Sequence, residues 1–266
     1  MQVLQAILLG IVQGATEFLP VSSSGHLRVI QEFFGIADEF GLAFDTMVHL
    51  ATLLAVVVYF RDDLVHMVRA FFSRDPSLAQ DRRLAWLLIV ATVPTGIIGL
   101  GGGDFFETAD ILYVGIAFLI TSAALTAADA LSRKSLHAAE GLGWGKAVLV
   151  GIAQGIAIMP GISRAGATMA MGLGVGLDRE QAARFSFLLS GPIILLAGAK
   201  QAFEIAGGDA TLPGLAVSAA GFVAAALTGY AAIAGLMAFV KRHSFAVFAA
   251  YTAVMGVSVL VWRLTG

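Results

Sequence analysis

The chain contains no cysteine. That removes disulfides, thiolate metal sites and a cysteine nucleophile, and leaves the redox compartment open. Charge is scarce too: 13% of the 266 residues are charged, and the net charge is -2. No cluster of Lys and Arg builds the basic surface that a nucleic acid would need, so no nucleic-acid partner is expected. His-Glu-x-x-His does not occur, nor does the Gly-Lys-Ser/Thr ending of a Walker loop. The opening Met1-Gln2-Val3-Leu4-Gln5 has no basic n-region, so it is expected to be retained rather than cleaved as a signal.

What fills the chain instead is apolar. Hydrophobic residues make up 58% of it, mean hydropathy is +0.87, and several runs are long enough to cross a bilayer. The expected spans are about 44–60, 84–100 (ending at Gly101-Gly102-Gly103), 111–131, 185–205, 212–240 and 245–261. Arg61, Arg69, Arg74, Arg82 and Arg83, then Arg133, Lys134 and Lys146, then Lys241 and Arg242 mark three connections. Cytoplasmic loops keep such charges, so residues 61–84, 132–146 and 241–244 are expected inside. The acidic Gln31–Ala43 stretch with Glu32, Asp38 and Glu39, the turn Asp104-Glu107-Asp110 and the loop with Asp209 fall outside. His66, His137 and His243 lie in the basic connections and are expected to be solvated.

Two glycine-rich stretches do not fit this alternation. Gly10–His26 starts and finishes outside, and Gly151–Thr168 starts and finishes inside. Pro20 with Ser22-Ser23-Ser24-Gly25, and Pro160-Gly161, would break a helix at membrane depth. Both stretches are therefore expected to be re-entrant helix-break-helix hairpins lining a buried or wet cavity, with a short span and an outside loop as the alternative. A shift of 141 positions superimposes Gly10, Ile11, Gln13, Gly14, Ser22 and Gly25 on Gly151, Ile152, Gln154, Gly155, Ser163 and Gly166, and Phe44 on Phe185. The expected fold is an all-α polytopic membrane protein, one domain over 1–266 with repeat 1 at about 1–131 and repeat 2 at about 144–266. Three spans per half put the second copy upside down, an arrangement that builds sites at the bilayer midplane.

The copies differ where chemistry is concentrated. Glu17 falls opposite Ile158, Ser23 opposite Arg164 and His26 opposite Ala167. An intramembrane carboxylate needs a function or a partner, and for Glu17 the partner is His26, Arg164 or a divalent cation. His26 suits a general acid or base. Ser22 and Ser23 offer an N-cap and a nucleophile, and spacing does not say which is which. Gln13, one turn before Glu17, either faces the same cavity or bridges helices. Pro160–Thr168 reads as an anion nest: Gly166 and its small neighbours admit close backbone approach, Ser163 and Thr168 supply hydroxyls, and Arg164 supplies a bidentate fork. Asp45 and His49 share a helix face, as a cation or supporting site or as an interfacial cap. Arg184 with Ser186, and Ser190-Gly191-Pro192, look like a turn and a kink in the second half. The Ala/Gly-rich fifth and sixth spans suit close helix packing. A homodimer is among the assemblies left open.

These residues resemble a known family. Gln13-x-x-x-Glu17 with Phe18-Leu19-Pro20-Val21-Ser22-Ser23-Ser24-Gly25-His26 is similar to the first signature of the bacterial undecaprenyl-diphosphate phosphatases, or bacitracin-resistance proteins. Pro160-Gly161-Ile162-Ser163-Arg164-Ala165-Gly166 is similar to the second, and residues 44–58 and 184–190 match in character. Gln13 departs from the Glu that members often carry, which puts a two-carboxylate metal site in doubt. The resemblance implies a multi-pass inner-membrane hydrolase whose site faces the periplasm and whose activity Mg²⁺ or Ca²⁺ supports. Its substrate would be undecaprenyl diphosphate, recycled as the carrier for cell-wall synthesis, with bacitracin resistance as a result. Glu17, Ser22, Ser23, His26, Ser163, Arg164 and Thr168 carry over as site residues. In the expected mechanism Arg164, Ser163 and Thr168 clamp the diphosphate, and Ser23 (before Ser22) or a water attacks. His26 moves the proton, and Glu17 orients His26 or holds the cation. The alternative is a lipid-carrier or anion transporter on the same scaffold; a weaker one is a phosphatase for other lipid phosphates.

Overall fold

The computed structural model describes residues 2–36, 40–107, 110–132, 142–208 and 211–265. Among these, every regular element is helical: α1 Gln2–Glu17, α2 Ser23–Phe34, α3 Leu42–Tyr59, α4 Arg61–Phe72, α5 Ala79–Glu107, α6 Ile111–Ser132, α7 Trp144–Ile156, α8 Arg164–Gly174, α9 Arg179–Gly207, α10 Leu215–Val240 and α11 Ala246–Thr265. A single 3₁₀ turn, Pro76–Leu78, precedes α5. Six segments are long and apolar enough to cross a membrane; they lie in α3, α5, α6, α9, α10 and α11. Leu100 on α5 is 91% exposed and Leu215 on α10 is 87% exposed, which suits a lipid-facing surface and not an aqueous one.

Several helix boundaries depart from expectation, three of them for a clear physical reason. Residues 61–84 are not simply a loop: Arg61–Phe72 folds as α4, with Met67 and Ala70 buried. Its acidic Asp62 and Asp63 lie in the first turn and Arg69 in the last, the order that the helix dipole favours. Next, α5 does not stop at Gly101-Gly102-Gly103 but runs on to Glu107, so residues 104–107 are helical rather than a turn. Each glycine costs a helix about 1 kcal/mol against alanine, too little to end a 29-residue element in apolar surroundings. Finally, α9 starts at Arg179, six residues before the expected span, because Asp178 and Gln181 form a reciprocal capping box. Asp38, Glu39, Arg133, Lys134, His137 and Asp209 lie outside the described residues. His66 and His243 are exposed.

Both glycine-rich stretches form two helices joined by a short break. Ser22 ends the first break, and its Oγ accepts from the Gly25 N–H at 3.3 Å; Ser163 ends the second, and its Oγ accepts from the Gly166 N–H at 3.0 Å. Gly161 turns the second break at φ +92°, and a Cβ there would meet the Val114 carbonyl at 2.6 Å. The first turn of α2 touches the second break, since a Cβ on Gly25 would meet Gly161 Cα at 3.0 Å.

Packing repeats between the halves. α1 lies on α10 and α7 lies on α5, while α3 packs on α9 and α6 on α11. The first two contacts depend on matched glycines. A Cβ on Gly10 would collide with the Gly221 carbonyl, and one on Gly151 with the Ala91 carbonyl. Each hairpin is therefore clamped by a long helix of the opposite half.

Candidate active site

Glu17 is the last residue of α1 and Arg164 the first of α8. Both sit at the wrong end for their own helix, because a carboxylate at a C-terminus and a cation at an N-terminus each oppose the dipole. Their mutual ion pair removes the conflict: Arg164 Nη2 donates to Glu17 Oε1. The carboxylate is buried, with its side chain 3% exposed, so it needs full satisfaction. Gln13 Nε2 donates to Oε2 at 2.8 Å, Ser23 Oγ donates to the same oxygen at 2.5 Å, and His49 Nε2 stands 3.4 Å away. Four helices thus converge on one carboxylate. Ser23 and Arg164 are the first residues of α2 and α8, so the positive ends of two helices meet at this point.

The serines divide their work. Ser22 caps α2, at an unusual φ of +71° for a non-glycine residue, while Ser23 faces Glu17. In the second half Ser163 does the capping. Its backbone N–H donates to Thr121 Oγ1 at 3.0 Å, which fixes the break against α6. Gly166 contributes its N–H to that cap. Thr168 turns toward α9: it bonds the Arg164 carbonyl at 2.8 Å and shares a 2.5 Å hydrogen bond with Ser186.

His26 lies one turn beyond Ser22 on α2 and is oriented by residues other than Glu17. Its Nδ1 is 2.7 Å from the Ser22 carbonyl, which only accepts, so Nδ1 carries the hydrogen. Its Nε2 is 2.7 Å from the Tyr251 hydroxyl on α11. The Tyr251 ring lies nearly parallel to the imidazole, at 4° and 5.6 Å between centroids, and Phe118 meets it edge-on at 5.2 Å. His49 is aimed in a similar way, Nδ1 on the Asp45 carbonyl at 2.7 Å, whereas the Asp45 carboxylate turns away to accept from Gln31 Nε2 at 2.8 Å.

The position matching Gln13 has become structural in the second half. Gln154 Nε2 donates to Thr95 Oγ1 at 3.1 Å, and Thr95 donates to the Gly151 carbonyl at 2.8 Å. Gln13 Oε1 is buried without a hydrogen-bond partner beside Glu17. Arg184 lies apart from the centre, paired with Asp63 on α4 at 2.6 Å. Among the described residues no three His, Asp or Glu side chains gather as a metal cluster.

Sequence reading gave no warning of Tyr251 or Thr121. Each lies in an apolar span without a motif around it, and its partner is more than 40 positions away. The sequence marks Ser186 only as part of a turn.

The family described as bacitracin resistance protein BacA matches residues 6–258. A protein of Rubrobacter xylanophilus called undecaprenyl-diphosphatase is 47% identical over 265 residues, covering 94% of each chain. Proteins of the same description from Methanosphaera stadtmanae and Myxococcus xanthus are 41% and 40% identical. The first covers 98% of both chains; the second covers 100% of this chain and 91% of its own.

Proposed function

We propose, for a chain that belongs to the family of the bacitracin resistance protein BacA, that lipid diphosphate hydrolysis is carried by the centre built on Glu17, Ser23 and Arg164. The chain is a multi-pass membrane hydrolase acting on undecaprenyl diphosphate; it returns the lipid carrier to cell-wall synthesis and confers bacitracin resistance. The observation that supports this division of labour is the 2.5 Å hydrogen bond from Ser23 to a carboxylate already paired with a guanidinium.

In the proposed first step the terminal phosphate docks at the meeting point of the α2 and α8 N-termini. Arg164 keeps further N–H donors for it beyond the one given to Glu17. Ser163 Oγ holds its cap through lone pairs, so its own proton remains available to a phosphate oxygen. Ser23 Oγ attacks phosphorus, its proton passes to Glu17, and undecaprenyl phosphate leaves. In the second step a water attacks the phosphoserine with His26 taking its proton, and Glu17 returns a proton to Ser23 Oγ as phosphate departs. Charge stabilisation supplies most of the acceleration, as is usual for phosphoryl transfer.

A divalent cation, Mg²⁺ or Ca²⁺, fits this site as an ion carried on the substrate. Glu17 offers one carboxylate, and Gln13 Oε1 is an unpartnered hard oxygen beside it, so the other ligands would be phosphate oxygens and water. Such an ion would neutralise charge on the diphosphate.

We place both hairpins as re-entrant. At 1.5 Å per residue α1, α2, α7 and α8 reach only about 24, 18, 20 and 17 Å, each short of a ~30 Å hydrocarbon core. Repeat 1 (about 1–131) and repeat 2 (about 144–266) would then be inverted copies in a bacterial inner membrane, with the site open to the periplasm. Because the chain has no cysteine, single Asp110→Cys and Arg74→Cys variants report sidedness by impermeant labelling of intact cells. Labelling at 110 and not at 74 is expected, and the reverse overturns the orientation.

The deciding assay is phosphate release, with and without EDTA, from wild type and Glu17→Gln, combined with acid trapping of ³²P. A trapped phosphoserine in the wild type, lost in Ser23→Ala, is expected. Full turnover in Ser23→Ala would move the attack to water.

A further inference from the structure

Outside the central carboxylate, the pair formed by His26 and Tyr251 commits every polar atom of the imidazole. A neutral imidazole has one N–H and one lone pair. In His26 the N–H belongs to Nδ1, because its partner at 2.7 Å is the Ser22 carbonyl. Proton exchange is therefore left to Nε2 alone. That nitrogen is covered by the Tyr251 hydroxyl at 2.7 Å. The ring has little room to turn aside, since Tyr251 stacks on one face and Phe118 presses on it edge-on. His26 is itself only 6% exposed. Any proton that His26 takes up must cross the tyrosine oxygen, or Tyr251 must leave.

We propose that Tyr251 positions His26 and relays its proton, so that the hydroxyl on α11 is the outer member of a two-residue base. The proposal rests on the reading of His26 as the base in the hydrolytic step. The exchange balances: the attacking water gives a proton to Tyr251 Oη as the Tyr251 O–H proton moves to Nε2. Tyr251 ends neutral, His26 ends as imidazolium, and the resulting hydroxide forms the bond to phosphorus while the P–Oγ bond to Ser23 breaks. The imidazolium then returns its proton by the same route to departing phosphate. The reach across the molecule is large in sequence, 225 positions, and ties the first hairpin to the last helix.

The substitutions that separate a relay from a stacking surface are Tyr251→Phe, which keeps the ring, and Tyr251→Leu, which removes it. Tyr251→Phe is expected to lower kcat by roughly ten- to a hundredfold at nearly unchanged KM, the usual range for a supporting partner of an acid-base group. Tyr251→Leu is expected to be no more active. ¹⁵N spectra of histidine-labelled protein in detergent supply a readout independent of turnover. In Tyr251→Phe the His26 Nε2 resonance is expected to move toward that of an unbonded ring nitrogen, with Nδ1 still protonated. Wild-type kcat in Tyr251→Phe, or a loss confined to KM, would overturn the relay. An unmoved Nε2 resonance would overturn it as well, whatever the activity. If His26→Ala retains turnover while the Nε2 resonance moves as expected, the base assignment fails and the contact stands.

Discussion

The pair between Glu17 and Arg164 makes the sharpest prediction, because each residue is a liability without the other. Replacing Arg164 by Met keeps much of the side-chain volume and removes the cation. Glu17 then keeps its bonds from Gln13 and Ser23 but loses its charge partner in a site where its side chain is 3% exposed. Breaking one side of a buried pair typically costs about 3–5 kcal/mol. At roughly 2–4 °C per kcal/mol for a chain of this size, the midpoint of thermal unfolding in detergent should fall by about 6–20 °C. Glu17→Gln leaves Arg164 unpaired, but the guanidinium is more accessible, at 19%, so its loss should be the smaller one. The double variant Glu17→Gln with Arg164→Met carries no buried charge at the site and should regain most of the lost stability while remaining inactive. A double-mutant cycle measured by fluorescence-detected unfolding returns the coupling energy, expected at about 2 kcal/mol or more for groups in one network. Additive losses, with no recovery in the double variant, would refute the argument that the two residues neutralise each other in the folded state.

Other predictions concern separate parts of the scaffold. Ser23→Ala should abolish most phosphate release, whereas Ser22→Ala should lose about 1 kcal/mol of stability through its cap and keep measurable turnover. Exchanged outcomes would reverse the roles of the two serines. Gly151→Val places a side chain against the Ala91 carbonyl, so α7 must separate from α5, and yield of folded protein after detergent extraction should collapse. Gln13→Glu adds a second carboxylate next to Glu17 and should lower the Mg²⁺ concentration needed for half-maximal activity severalfold; an unchanged requirement would place the ion elsewhere.

Part of this architecture was legible before any coordinates. Apolar runs between charged connections marked six spans because lipid tolerates few charges. Pro20 and Pro160 with their glycines marked two breaks, and Glu17 and Arg164 stood out because ionisable groups are costly in such surroundings. The boundaries were less legible where a local rule competes with context. Gly101–Gly103 look like a stop, yet α5 continues through them. Arg61–Phe72 has the charge of a loop but the amphipathic spacing of a helix, and its polar face hid it. Partners distant in sequence were the least legible. Tyr251 carries no motif, and nothing near it in the chain points to a histidine 225 positions earlier. The division of labour between Ser22 and Ser23 depends on which side chain the break turns toward Glu17, and neighbouring residues alone do not determine that.

The two misplaced charges also bear on how the protein is made. Synthesis runs from the N-terminus, so Glu17 enters the membrane long before Arg164 exists, and α1 waits longer still for α10. Until then the carboxylate lies at the unfavourable end of its helix with only Gln13, Ser23 and His49 at hand. The early half is therefore an incomplete body that the late half closes from the opposite direction. A nascent chain arrested before residue 164 should remain open at its first hairpin and be a target for membrane quality control. The contact between Glu17 and Arg164 is thereby also where the two halves of the chain lock together.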